Sequence, residues 1–99
     1  MELGRVEGAV VSTAKVDQLK GQKLMLVNLL GPDASPTTNH LVAVDTVGAG
    51  SGEVVIVVRG SSARQTQSMK NVPTDASIIA IVDSVEMQGK IVYDKAKDK

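Results

Sequence analysis

Three glycines separated by small residues are the part of this 99-residue sequence most suggestive of chemistry. Gly48, Gly50 and Gly52 lie in VDTVGAGSGEVVIVVRGSSAR, residues 44–64, and such glycines can let backbone amides approach a phosphate. A dinucleotide site needs them to end a strand and open a helix, but here they open the strand-like run EVVIVVR. A Walker loop is excluded because no Gly-Lys-Ser/Thr follows. GAGSG is therefore predicted to be a tight turn between two strands.

Other residue types that carry chemistry are scarce. There is no cysteine, which removes disulfides, thiolate nucleophiles and thiolate metal ligands together. The one histidine, His40, lies in a polar segment, and a zinc site would need carboxylates whose spacings are not typical of one. Ser61 and Ser62 are better explained as helix-capping residues than as nucleophiles. We therefore predict no catalytic residue, no metal site, no cofactor and no enzymatic activity.

The charge balance argues against two classes of partner. Eleven basic residues balance eleven acidic ones, so no net field attracts the chain to nucleic acid or to an anionic lipid surface. No apolar run approaches the roughly 20 residues of a membrane span, and the first residues, MELGR, lack the apolar core of a signal peptide. We predict a protein with neither a nucleic-acid nor a membrane partner. We also predict that it is cytoplasmic, because the absence of cysteine fits a reducing compartment.

The composition predicts the fold class. Valine and isoleucine make up 21 of the 99 residues, Tyr93 is the one aromatic residue, and β-branched side chains favour strands. The length fits a single domain, residues 1–99. Strand-like runs bounded by Gly, Pro, Asp or Asn occupy residues 4–13, 23–30, 41–47, 53–59, 77–85 and 90–93. We predict an all-β protein, a small closed barrel or sandwich of five or six short strands.

Three further segments are predicted to differ from the strands. GPDASPTTN, residues 31–39, contains two prolines and is typical of an exposed loop. SSARQTQSMK, residues 61–70, is predicted to form one short helix, because Ser62 and Gln65 have the spacing of a capping box. The charged tail DKAKDK, residues 94–99, is expected to be frayed or ordered by a partner, and ordering by a partner is expected for the tail from about residue 86.

The strand EVVIVVR is apolar on both faces. Val55 and Val57 point to one side of it, and Val54, Ile56 and Val58 point to the other. A domain this small has one interior, and an exposed Val or Ile side chain forfeits about 1.5–3 kcal/mol. The fifth predicted strand repeats the pattern. Copies of the same chain are therefore expected to cover the second face in an obligate oligomer, and the alternative is a monomer that covers it alone.

Charged residues flank the same strand. Asp45 precedes it, Glu53 begins it, and Arg59 and Arg64 follow it. One interpretation is that these are solvated strand ends. The other is that Glu53 or Asp45 meets an arginine of another subunit, which would fix the register of the contact and exclude wrong partners.

Residues 44–64 resemble the signature of the vertex proteins of bacterial microcompartment shells, the EutN/CcmL family. That signature runs approximately as an Asp, T-V-G-A-G, a Gly-Glu, a hydrophobic strand and G-S-S-A-R. GAVVSTAK, LKGQKLMLV at residues 19–27 and VPTDASIIAIVDSV at residues 72–85 resemble further strands of the family. The resemblance covers most of residues 4–85, whereas GPDASPTTN and the tail from Glu86 onward are not distinctive.

The resemblance implies a small OB-like β-barrel that assembles into a homopentamer. The ring would plug the five-fold vertices of a cytoplasmic shell otherwise tiled by hexameric proteins. A ring closed by head-to-tail contacts uses two different patches on each subunit. A narrow central pore is also implied, and we expect it to be lined by Gly48, Ala49, Gly50 and Ser51. The expected subunit interface comprises Asp45, Glu53, Val55, Val57, Arg59, Ser61, Ser62 and Arg64.

Two other functions suit a barrel of this size. A nucleic-acid-binding barrel of the OB type would need stacking aromatic residues and a basic groove. This chain offers one tyrosine and no net charge. A small enzyme or ligand-binding barrel would instead need a pocket with converging polar groups and an acid or base of perturbed pKa.

Overall fold

Seven β-strands form the framework of residues 1–65 and 72–98, the part of the chain that the computed structural model describes. The side chain of Ser62 is outside this description. The strands are β1 (Glu2–Val10), β2 (Leu24–Leu30), β3 (Pro36–Asp45), β4 (Val54–Arg59), β5 (Ala76–Ile81), β6 (Ser84–Met87) and β7 (Lys90–Asp94). Two short 3₁₀ helices, Asp17–Leu19 and Gly60–Arg64, lie between them.

Strands β1 to β5 close into a barrel in the order β1-β2-β3-β5-β4, and β4 pairs back onto β1. Neighbouring strands are antiparallel except β3 and β5, which run parallel where Val44 pairs with Ser77 and Asp45 pairs with Ile78. The prediction of an all-β protein built around a small closed barrel is therefore confirmed.

The barrel interior is filled by small and medium-sized apolar side chains. A barrel of five strands encloses a narrow space, so a chain without Phe or Trp can fill it with valines and alanines. The buried cluster consists of Val6, Met25, Val27, Ala43, Ala49, Val55, Val57, Ala76 and Ile78.

Gly4 of strand β1 lies close to both neighbouring strands, and it pairs with Leu29 of β2 and Val55 of β4. A Cβ atom added at Gly4 would lie 2.4 Å from Cγ1 of Val27. Carbon atoms in contact stay roughly 3.5–4.0 Å apart, so any side chain here would push the strands away from each other. Glycine at this position therefore allows the barrel to close.

The hairpin between β2 and β3 is tighter than the sequence predicts. Residues 31–39 were expected to form an exposed loop, but β3 already begins at Pro36, so that prediction is wrong for its second half. The turn is short because the Asp33 carboxylate accepts hydrogen bonds from the backbone N–H and the hydroxyl of Ser35, at 3.1 and 2.5 Å. These bonds, above all that from the hydroxyl, lower the pKa of Asp33.

One buried polar side chain supports the paired backbone beyond this turn. Asn28 is 4% exposed, and its Nδ2 atom donates to the carbonyls of Thr37 and Asn39 at 2.9 and 3.1 Å. These bonds lie where the register between β2 and β3 shifts, after Asn28. The amide group therefore satisfies carbonyls that the irregular ladder leaves without a strand partner.

The predicted fifth strand, residues 77–85, is in fact two strands. β5 ends at Ile81 and β6 begins at Ser84, and between them the N–H of Val82 donates to the carbonyl of Val54 at 2.8 Å. β6 then pairs with β7 in a separate two-stranded sheet. The sixth predicted strand thus belongs to a hairpin outside the barrel.

The predicted helix at residues 61–70 overlaps the 3₁₀ helix Gly60–Arg64. Residues 66–70 of that prediction lie outside the described residues, and so does the proposed capping contact between Ser62 and Gln65. The 3₁₀ helix is fastened to β5, because the buried hydroxyl of Ser77 donates to the carbonyl of Ala63 at 2.6 Å.

Candidate functional site

The segment between β3 and β4 is a tight, internally bonded turn. We call residues 48–53 the glycine loop. The Asp45 carboxylate fixes the start of this loop, because its Oδ1 atom accepts hydrogen bonds from the N–H groups of Val47 and Gly48 at 3.0 and 3.1 Å. Gly48 and Gly52 have φ angles of 76° and 87°, in the region that glycine favours. The prediction of a turn with positive-φ glycines is confirmed.

Glu53 closes the glycine loop from its other end. Its Oε1 atom accepts a hydrogen bond from the N–H of Gly50 at 2.6 Å, and its own N–H donates to the carbonyl of Gly50 at 3.2 Å. The N–H of Gly52 donates to the carbonyl of Val6 at 2.7 Å. All three glycine amides that could have faced a phosphate are therefore already hydrogen-bonded within the chain. Gly48 donates to Asp45, Gly50 to Glu53 and Gly52 to Val6.

One residue predicted to line a pore is placed inside the barrel instead. Ala49 is 0% exposed and belongs to the buried cluster, so its assignment to the pore is wrong. The loop therefore contributes its one methyl group to the close packing of the barrel interior. Gly48 and Ser51 are exposed and Gly50 is partly exposed, and their position at a pore stays a prediction.

Two residues predicted for the subunit interface are also internal. Val55 and Val57 are both 0% exposed in the buried cluster, so they cannot contact another subunit. The opposite side chains of β4, Ile56 and Val58, are partly exposed. The two faces of this strand look alike in sequence, and its pairing with β1 and β5 decides which one points inward.

The charged residues around β4 have partners within their own chain. Arg59 makes two hydrogen bonds to the Glu2 carboxylate, at 2.5 and 2.8 Å, and this pairing lowers the pKa of Glu2 and raises that of Arg59. Arg64 donates to the carbonyl of Thr74 at 3.0 Å. Pairing of these arginines with Glu53 or Asp45 of another subunit stays a prediction, as does a contact at the exposed Ser61.

Glu53 is also tied to the C-terminal segment. Lys95 Nζ lies 2.5 Å from Glu53 Oε2, and this hydrogen bond, with the one from the Gly50 amide, lowers the pKa of Glu53. The same bond to Glu53 raises the pKa of Lys95. Within the described residues, Oδ2 of Asp45 is buried without a hydrogen-bond partner.

An exposed apolar surface that was not predicted from the sequence lies on strands β2 and β3. Leu26 is 37% exposed and Val42 is 44% exposed, and the two are paired across the strands on the outer face. Apolar residues on both faces were recognised from the sequence for β4 and β5 but not for β2 and β3. The signal was present, because LMLV and LVAV are also apolar at both alternating positions.

A groove of about 460 Å³ adjoins this face. Its floor is apolar, with Val42 beside the partly buried Leu24 and the buried Val44. Arg64, which the sequence places at the subunit interface, lines the same groove with Asp75. We call this surface the β2–β3 groove, and its full lining is Leu19, Leu24, Val42, Val44, Arg64, Pro73, Thr74 and Asp75.

The remaining chemistry is sparse. Tyr93 is 6% exposed, so the one aromatic ring of the chain is not available for stacking on a nucleic-acid base. In residues 1–65 and 72–98, the acidic residues and the histidine do not form any group of three that could hold a metal ion. Over the same residues, no helix has the length and apolarity required to cross a membrane.

Comparison with known proteins gives consistent matches. The family model described as ethanolamine utilisation protein EutN/carboxysome matches residues 1–83. The bacterial microcompartment shell vertex protein GrpN of Rhodospirillum rubrum is 50% identical over 86 residues, which is 87% of this chain and 97% of that protein. The carboxysome shell vertex protein CcmL of Synechocystis is 42% identical over 98 residues, which is 99% of this chain and 98% of that protein.

Solved structures agree with these sequence matches. The structure of Gloeobacter violaceus CcmL superposes with a TM-score of 0.94 at 39% identity, and covers 98% of this chain and 100% of its own. The GrpN structure, described as a pentameric microcompartment shell protein, superposes with a TM-score of 0.81 at 50% identity. It covers 88% of this chain and 99% of its own.

Proposed function

We propose, from the premise that this chain belongs to the EutN/CcmL family, that five copies of it form a ring through the β2–β3 groove. The chain is a structural shell protein that caps the vertices of a bacterial microcompartment, and it is not an enzyme. The pentamer is supported most directly by the structural match to GrpN, which is described as pentameric and covers 88% of this chain.

The groove is our candidate for one half of the contact between neighbouring subunits. Val42 on its apolar floor is 44% exposed in the single chain, and burial of such surface is the main driving force of obligate assembly. Arg64 at its edge adds a charge that could fix the register of the neighbour. In a head-to-tail ring the neighbour presents a different patch, for which Asp45, Glu53, Arg59, Ser61 and Ser62 remain candidates.

The ring works by its shape. A layer of six-fold units tiles a flat sheet, and a five-fold unit introduces the curvature that closes the layer into a polyhedron. We propose that the partners around the ring are hexameric shell proteins and that Gly48, Gly50 and Ser51 lie near its axis. The absence of net charge leaves assembly with other protein unopposed by long-range repulsion.

Native mass spectrometry of Val42→Asp tests the groove. The expected result is a pentamer for the natural sequence and a folded monomer for the variant, because an unpaired charge left in an apolar contact costs more than about 1–3 kcal/mol. Val11→Asp is the matched control, since Val11 is 92% exposed and lies outside the groove. A Val42→Asp pentamer would refute the groove as the contact, and a monomeric natural chain would refute the ring.

Arg64→Glu tests the charged edge separately. We expect weaker assembly, visible as a pentamer that dissociates at higher protein concentration than the natural one. Arg59→Glu removes a different arginine that is tied to Glu2 in its own chain, and comparing the two variants separates the groove from the barrel end. An unchanged pentamer with Arg64→Glu would make Arg64 a solvated residue.

A further inference from the structure

The C-terminal segment, residues 93–98, is attached to the glycine loop of its own chain. Lys95 binds one oxygen of the Glu53 carboxylate at 2.5 Å, and the other oxygen accepts the Gly50 N–H at 2.6 Å. One carboxylate therefore links the C-terminal segment to the middle of the loop. The N–H of Lys95 also donates to the carbonyl of Asp83 at 2.8 Å, which holds the segment close to the barrel.

Arg5 forms a second link between the same two regions. Its Nη1 atom donates to the carbonyl of Gly52 at 2.7 Å and to Oδ2 of Asp98 at 2.8 Å. Its guanidinium also lies 5.6 Å from the centroid of the buried Tyr93 ring. A cation at this distance from an aromatic face is attracted to it. Arg5 thus joins the end of the loop to both ends of residues 93–98.

Apart from Ala49, which is buried in the barrel, the small residues of the loop have no side chains long enough to fix its conformation. Glycines lose much conformational freedom when they are ordered, and the loop contains three of them. Glu53 and Arg5 restrain it from the side of the C-terminal segment, and Asp45 restrains it from the other side. The two side-chain restraints from Glu53 and Arg5 are therefore themselves held by residues 93–98.

Tyr93, Lys95 and Asp98, the members of these contacts in the C-terminal segment, lie outside the part of the chain that matches the family model. That match ends at residue 83, before the β6–β7 hairpin begins. GrpN, which is described as pentameric, uses 99% of its length to match 88% of this chain. CcmL of Synechocystis matches 99% of this chain, so a C-terminal segment of this length is shared with that relative, and in this chain its contacts fall on the glycine loop.

We propose that Lys95, Asp98 and Tyr93 are positioning residues that hold the glycine loop in place through Glu53 and Arg5. The loop's position matters for the ring because of the proposed function, which places the loop near the ring axis. The contacts themselves are made within one chain and do not depend on that function.

The test uses the full-length chain labelled with ¹⁵N-glycine and NMR hydrogen exchange at the Gly50 amide. Lys95→Gln should move the Gly50 resonance and speed its exchange about two- to fivefold, the range expected for loss of one surface ion pair. Lys95→Arg should restore both, because it keeps the charge. Lys97→Gln is the matched control, and Gly21, in an exposed turn, is the internal reference. An unchanged Gly50 in Lys95→Gln would overturn the proposal.

The salt dependence of exchange at Gly50 is a second measurement. It would be absent if residues 93–98 supported the loop by packing alone. Raising the salt from 0.1 to 1 M shortens the screening length from about 10 to about 3 Å, so exchange at Gly50 should speed up in the natural chain. The same change should have little effect in Lys95→Gln. A Gly50 amide that is indifferent to salt in both would contradict the proposal.

Native mass spectrometry of the same variants separates this inference from the proposed function. A pentamer whose Gly50 amide responds to Lys95→Gln supports both. A Gly50 response in a chain that does not form a ring supports the positioning role and refutes the ring. A pentamer whose Gly50 amide ignores Lys95→Gln refutes the positioning role and leaves the ring intact.

Discussion

The barrel and the β6–β7 hairpin of this chain are held together by different forces. The barrel encloses a cluster of apolar side chains, several of them 0% exposed. The hairpin leaves Met87, Ile91 and Val92 exposed. Its buried Tyr93 and two ion pairs of the residues that follow β7, Lys95 with Glu53 and Asp98 with Arg5, attach it to the barrel. A two-stranded hairpin alone is at best marginally stable in water. The barrel should therefore respond to changes in packing, and the hairpin to changes in salt and pH.

The sharpest way to break this contrast is to truncate one isoleucine in each region. Ile78→Ala removes a 0% exposed side chain from the barrel and should lower the free energy of unfolding by about 2–5 kcal/mol, because a cavity remains. Ile91→Ala removes a 56% exposed side chain from β7 and should change it by about 0.5 kcal/mol or less. Chemical denaturation followed by circular dichroism measures both.

Equal losses of stability in the two variants would contradict the contrast. Such a result would mean that Ile91 is covered in the assembled protein. Repeating the measurement on the dissociated Val42→Asp chain distinguishes coverage by a neighbouring subunit from coverage within the chain.

A second test of barrel packing adds one methyl group instead of removing several. Gly4→Ala would place a Cβ 2.4 Å from Cγ1 of Val27 and should destabilise the barrel by about 1–3 kcal/mol. Gly8→Ala is the matched control on the same strand, since no atom lies within 4 Å of a Cβ there. Thermal unfolding of the two variants gives the comparison. A Gly4→Ala chain as stable as Gly8→Ala would show that β1 can move away from β2 at little cost.

The sequence could predict the barrel better than the orientation of its strands. The valine-rich runs and the turn glycines are local signals, and they identified the closed barrel and the turn at Gly48 and Gly52. The interface assignment of Val55 and Val57 failed because both faces of β4 are apolar. Which face points inward depends on pairing with strands distant in the chain, and a shift of one residue would exchange the faces.

The contacts of the C-terminal tail with the barrel could not be predicted from the sequence for a similar reason. Residues 90–93 were predicted to form a strand and lie in β7, but the DKAKDK tail was expected to be frayed or ordered by a partner, and its described residues instead bond to the barrel. The bonds that order it join Lys95 to Glu53 and Asp98 to Arg5, which are 42 and 93 residues apart. Charges in DKAKDK carry no local mark of such distant partners.

The smallest expected effect concerns the pH at which the hairpin leaves the barrel. The hydrogen bond from Lys95, with that from the Gly50 amide, lowers the pKa of Glu53 below its usual value of about 4.3. Glu53 therefore stabilises the docked hairpin above that pH and ceases to do so as the pH falls through its lower folded value. The raised pKa of Lys95 gives the opposite limit, with stabilisation lost only above about pH 10.4.

Tyrosine fluorescence can follow the acid limb of this dependence in the hairpin alone, because Tyr93 is the one aromatic residue of the chain. On acidification below about pH 4.3, the Tyr93 signal should change before the circular dichroism of the barrel does, because the barrel keeps its apolar cluster when the Glu2–Arg59 pair is lost. Glu53→Gln should already show part of this change at neutral pH. Glu2→Gln is the control, because it removes a carboxylate of lowered pKa whose partner, Arg59, lies in the barrel. If the two signals change together in every variant, the hairpin and barrel unfold as one unit and the contrast between them fails.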